Sequence, residues 1–112
     1  MISSTDPFPH WVIDDFLPPE TAWEAYNHFY KGEGDWTLRE HLYSHNKVTR
    51  THGLDPAIEL VMQRLEGGGI RHYISQLSGI PDLLADPDRF GGGQHIIQRG
   101  GFLGIHADFT HH

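Results

Sequence analysis

A chain of 112 residues that is 38% hydrophobic holds one domain with an ordinary core. Its formal charge of −7, with no lysine or arginine cluster, excludes a phosphate-backbone binder, and protonating all ten histidines would carry that charge to +3 through neutrality in the mildly acid range. Cysteine is absent, which excludes disulfides and thiolate-metal sites and fits a reducing compartment.

The opening MISSTDPFPH lacks the basic and apolar regions of a secretory leader, and no run of about 18 apolar residues follows anywhere. The expectation is a soluble, cytoplasmic protein with neither a membrane nor a nucleic-acid partner.

Met1 to Pro9 reads as a loose lead-in. The apolar run from Trp11 to Leu17, interrupted by Asp14-Asp15, predicts a short strand reaching Pro18. Pro19 suits a first helical position and Glu20 the positive end of the helix dipole, so a helix is expected from there to about Tyr30, stopping at Gly32. Ala22, Trp23, Tyr26, Phe29 and Tyr30 recur at three- and four-residue spacing, an aromatic stripe expected to pack on a sheet rather than to stack on substrate.

From Asp35 to Gly53 the apolar spacing fits neither period, which leaves two short strands or a long loop. His41, His45 and His52 fall there without metal-ligand spacing and read as solvated. Asp55-Pro56 is a strong helix start, an N-cap followed by proline at the first turn. Ile58, Val61, Met62 and Leu65 give that helix one apolar face. The glycines at 67 to 69 interrupt it, and a further helix is expected from Ile70 to Ser78, ending at Gly79. No Lys-Ser/Thr follows the glycine run, which excludes a phosphate loop. Asp82, Asp86 and Asp88 lack the spacing of a calcium loop and read as a surface turn.

Phe90 to His112, FGGGQHIIQRGGFLGIHADFTHH, carries the chemistry. The apolar runs Gln94–Arg99 and Phe102–Phe109, separated by Gly100-Gly101, predict strand, tight turn, strand. In an extended chain His106 and Asp108 point to the same side with Cα atoms about 6 to 7 Å apart, close enough for an imidazole and a carboxylate to share one metal ion. A His-x-Asp triplet arises about once by chance in a composition like this one, so its glycine-rich context gives it weight. His111 would face the opposite side and His112 would lie about 20 Å from His106, so neither completes the site in a continuing strand.

GGGQHIIQRGGFLGIHADF resembles the first metal-binding segment of the Fe(II)- and 2-oxoglutarate-dependent dioxygenases, in particular the prolyl 4-hydroxylase-like branch, and PFPHWVIDDFLPPE is more loosely similar to the opening of such domains. The resemblance implies an α+β fold in which N-terminal helices pack on the beginning of a double-stranded β-helix, or jelly roll. It also implies His106 and Asp108 as two ligands of a 2-His-1-carboxylate iron site. Gln98 and His95 become candidates for contact with the cosubstrate. The implied cofactors are Fe(II), 2-oxoglutarate and O2, with ascorbate as an accessory, and the implied reaction couples decarboxylation of 2-oxoglutarate to hydroxylation of a small molecule or peptide.

The family's third ligand and its basic 2-oxoglutarate-binding residue have no counterpart in these 112 residues. The chain therefore reads as one partial domain, a supporting region at 1–89 and a metal-bearing hairpin at 90–112, expected to be inactive alone or to complete its sheet with another chain through an open edge. The alternative is a non-catalytic β module whose His106 and Asp108 bind no metal. A zinc or manganese hydrolase is disfavoured, because a catalytic zinc site needs three protein ligands.

Overall fold

The computed structural model describes residues 2–106. Strands Ile2–Ser4 (β1) and His10–Val12 (β2) pair antiparallel, Ile2 opposite Val12, so the expected lead-in is itself a strand. β2 ends well short of Pro18. Asp14 and Asp15 form a turn instead, with Asp15 at φ 53°, a left-handed conformation that short carboxylate side chains tolerate.

Helix Pro19–Asn27 (α1) starts at the predicted proline and stops before Tyr30, with His28 at its C-cap. Trp23, Tyr26 and Tyr30 are exposed, which corrects the expectation of an aromatic stripe packed on a sheet. The helix is held at its end: the His28 ring donates from Nδ1 to the Asp55 carboxylate at 2.9 Å, and its Nε2 lies 3.3 Å from Glu24. Asp55 also accepts the Ala57 N–H, capping helix Pro56–Glu66 (α2) as predicted. That cap, helped by His28, holds the Asp55 carboxyl below its ordinary value. Gly67 is extended and breaks the helical run. Helix Gly68–Ser78 (α3) then begins two residues earlier than expected and ends in left-handed Gly79.

Asp35 to Gly53 resolves the open choice in favour of two strands, Thr37–His41 (β3) and Ser44–Arg50 (β4). They pair antiparallel around a tight turn at Leu42-Tyr43, and the other edge of β4 takes strand Gln94–Leu103 (β5), giving the order β3-β4-β5. Two antiparallel sheets and three helices make the fold α+β.

The predicted strand-turn-strand over Gln94 to Phe109 is corrected. Its two halves do not pair with each other; both lie along β4, Gln94 to Ile97 opposite Arg50 to Lys47, then Phe102 and Leu103 opposite His45 and Ser44. Gly100 and Gly101 sit in a bulge that shifts the register between these halves. Gly100 has φ 82°, and a Cβ on Gly101 would come within 2.5 Å of the His45 carbonyl oxygen, so this crossing requires glycine. Glycines that suggest a hairpin reversal in sequence here let one strand absorb extra residues.

The helices pack on one another, α1 on α2 and α2 on α3. Their link to the sheet runs through a polar joint. Arg50 and Gln94, register partners across β4 and β5, are 2% and 5% exposed. Arg50 donates to the Gln94 side-chain oxygen and to the carbonyls of Phe29, Lys31 and Gly34, with its guanidinium 4.5 Å over the Trp36 ring. Gln94 returns a bond to the Phe29 carbonyl at 2.7 Å. A second tie comes from Arg89, which binds the carboxylates of Glu59 and Glu66 on α2 and reaches the Thr51 carbonyl beyond β4.

The apolar core is small: Ile58 is the buried hydrophobic side chain among the described residues. The accessible surface is 8728 Å², against about 6300 Å² for a compact protein of this mass. Ile97, Phe102, Leu103 and Ile105 contribute to the excess along and beyond β5.

Candidate functional site

The predicted ligand His106 lies three residues past the end of β5, so it is not carried by a continuing strand. Its position comes from the hairpin tip instead. The Glu40 carboxylate accepts the Asn46 N–H at 3.2 Å and faces the His45 ring at 3.1 Å, bracing the turn between β3 and β4. The Asn46 N–H first, and then His45, hold the Glu40 carboxyl below its ordinary value. Ser44, almost wholly buried, donates to the Arg39 carbonyl across the same turn.

Tyr43 projects from this braced tip. Its carbonyl accepts the Gly104 N–H, and its ring stacks on His106 with centroids 4.4 Å apart and planes 10° from parallel. His41 also stacks on Tyr43, with centroids 5.4 Å apart and planes 12° from parallel. A carbonyl only accepts hydrogen bonds, so the contact between His106 Nδ1 and the Gly104 oxygen at 2.8 Å makes Nδ1 the donor. The neutral ring then carries its lone pair on Nε2. Metal-ligating histidines commonly give their second nitrogen to a carbonyl in this way, so the residue present fits an imidazole ligand.

Asp108, the other predicted ligand, lies outside the described residues, as do His111 and His112. Among the described residues no three histidine, aspartate or glutamate side chains converge to hold a metal ion. His95 and Gln98, the predicted cosubstrate contacts, are both exposed. His95 pairs with Thr49, six positions along β4 from Tyr43, a separation of about 20 Å at the rise of a strand. Gln98 stands in the bulge between these ends, so the sheet does not gather His95 and Gln98 around His106.

The carboxylates of a second, more acidic cleft lined by His52, Glu59, Glu66, Asp86 and Arg89 are already engaged. Glu59 and Glu66 bind Arg89, and Asp86 accepts the N–H groups of Asp88 and Phe90. Sequence reasoning missed Tyr43 and His41. No period in the sequence marks them, because His41 ends β3 and Tyr43 lies in the turn that follows.

No protein-family model, no curated protein and no solved structure matches this chain. No helix among the described residues is long and apolar enough to cross a membrane.

Proposed function

We propose that this chain contributes the first metal-binding segment of a non-haem Fe(II)- and 2-oxoglutarate-dependent dioxygenase, on the opening strands of a jelly roll. His106 and Asp108 are two of its three metal ligands. The observation that carries the reading is the Nδ1–H bond from His106 to Gly104, which in the neutral ring puts the proton on Nδ1, the tautomer in which metal-ligating histidines coordinate through Nε2. Further support comes from the open sheet. A jelly roll needs about eight strands, and the uncovered apolar residues of β5 are where additional strands would pack.

When bound with 2-oxoglutarate and O2, the metal supplies the oxidative decarboxylation that is coupled to hydroxylation. The protein's part is to fix ligand geometry and exclude water. His106 and Asp108 hold the ion, the Gly104 carbonyl fixes the tautomer of His106, and the remaining ligand comes from polypeptide outside the described residues.

Anaerobic Fe(II) titration followed by calorimetry tests this reading. Binding should be lost in both His106→Ala and Asp108→Ala. Equal Fe(II) binding by the parent and by both variants would favour the second reading, a non-catalytic β module. The aromatic ladder supports that second reading, because it accounts for the placement of His106 without any metal.

A further inference from the structure

We propose that the β1–β2 hairpin of one copy docks along the free edge of β5 in a second copy of this chain, so that each chain extends the other's sheet. Two parts of the fold are incomplete. The hairpin pairs only within itself, and among the described residues neither strand lies against any other strand or helix. Its Ile2, Phe8 and Val12 side chains stay exposed. A lone two-stranded hairpin is marginally stable in water and gains from a third strand. β5 has the matching deficit, an outer edge without a partner strand among the described residues and Ile97 exposed beside it.

Length, charge and area single out the occupant. β1 and β2 are 3 residues each, a length that fits the regular stretch of β5 before its bulge, Gln94 to Ile97. Residues 2–16 carry Asp6, Asp14 and Asp15 and no lysine or arginine, whereas β5 carries Arg99 and His95 and no carboxylate. Opposite charges favour this pairing, while β5 against β5 would oppose cations alone. β3, the other open edge, is half the length of β5 and adds Glu40. The accessible surface exceeds that of a compact protein of this mass by about 2400 Å² per chain, and a standard interface needs only about 800 Å² from each partner. Reciprocal exchange, each chain giving a hairpin and receiving one, closes the assembly as a two-fold dimer. It requires no metal at His106.

Sedimentation velocity of the whole chain should show a reversible dimer. Val12→Lys and Ile97→Lys should each weaken it about 10-fold or more at unchanged far-UV circular dichroism, since burial of one such side chain accounts for that much affinity. Cross-linking then identifies the edges in contact. The chain has no cysteine, so Val12→Cys and Ile97→Cys each carry a single thiol for a flexible bismaleimide to join. In an equimolar mixture, peptide mapping should find position 12 joined to position 97 well above either homotypic product. A parent that is monomeric at every concentration would overturn the proposal. So would dimerisation of Val12→Lys at parental strength, or position 97 joined chiefly to position 97, which would assign the dimer to β5 on β5 instead. Ile2→Lys, on the same hairpin face as its register partner Val12, replaces Val12→Lys should that protein fail to fold. None of these readouts involves Fe(II), so their failure leaves the metal-site reading standing.

Discussion

Arg50 and Gln94 face each other across β4 and β5, both buried, joined by two hydrogen bonds from one guanidinium to one amide oxygen at 3.1 and 2.9 Å. In a protein with so small an apolar core, this pair takes the place that interlocked side chains usually hold. Replacing Arg50 with alanine would strand the Gln94 oxygen and take a donor from the carbonyls of Lys31 and Gly34, while the Phe29 carbonyl keeps its bond from the Gln94 amide. The expected cost is about 3 kcal/mol or more, since each buried polar group left unsatisfied costs about 1 to 3 kcal/mol. Arg50→Lys should recover little, because an ammonium donates from a single point and cannot span the partners of a planar fork. Urea unfolding of the two variants checks this, and a midpoint for Arg50→Lys equal to the parent's would contradict it.

The tie from Arg89 to α2 predicts a pH dependence. The Arg89 hydrogen bond, with its charge adding to it, holds the Glu59 carboxyl below its ordinary value of 4.5. The guanidinium proton is correspondingly retained more strongly, chiefly through Glu59 and then Glu66. A carboxyl depressed in the folded state contributes stability that is present above its unfolded pKa and is lost as pH falls through the folded value. The parent's urea midpoint should therefore rise between about pH 3 and pH 6. In Arg89→Gln, Glu59 and Glu66 remain neighbours without their shared cation, and that rise should flatten or reverse. Parallel pH profiles for the two proteins would count against the tie.

The bulge in β5 makes the two central glycines unequal. A Cβ on Gly100 meets open space and faces only the strain of φ 82°, whereas a Cβ on Gly101 collides with the carbonyl oxygens of His45 and Gln98 at 2.5 and 2.8 Å. Gly100→Ala should cost about 1 kcal/mol. Gly101→Ala should displace the second half of the strand and expose the amides of Phe102 and Leu103 to hydrogen exchange, while leaving Gln94 to Ile97 protected. Matched exchange rates for the two variants would show the bulge to be less constrained than the contacts indicate.

Much of the secondary structure was legible in the sequence because its signals are local. Asp55-Pro56, Pro19 and Gly79 each act through the dihedral or hydrogen-bond needs of one turn, and each stands where expected. The course of β5 was not legible. Gly100-Gly101 has the same local signature in a hairpin turn and in a bulge, and the choice is made by β4, more than 50 residues away in the chain. Period-two counting over Phe102 to Phe109 is matched by ladder pairing only as far as Leu103, where β4 begins, and residues 107–109 lie outside the described residues. The Arg50 joint was equally hidden, because an isolated arginine in a polar stretch carries no mark of burial. Of the candidate site, the stacking of Tyr43 on His106 was not readable, because it depends on where the turn between β3 and β4 falls.

The open edge of β5 predicts association. Its outer side has no partner strand among the described residues, and Ile97, Phe102 and Leu103 are exposed along it. An uncovered strand of this length is a template for another. Sedimentation velocity over a wide concentration range should show reversible self-association, reduced in Ile97→Lys because a charge on an edge strand opposes pairing. A monomer at every concentration, for parent and variant alike, would leave the edge without that role.

The joint at Arg50 also sets an order of disassembly. Every partner of that guanidinium is an amide oxygen or an aromatic face, none of which titrates. The clasps between α1 and α2 and between α2 and Arg89, by contrast, depend on the carboxylates of Asp55, Glu59 and Glu66. Acid should loosen the helices from one another first, while the three-stranded sheet keeps its hold on the segment after α1. The last structured remnant of the acidified protein would then be the hairpin and its buried arginine.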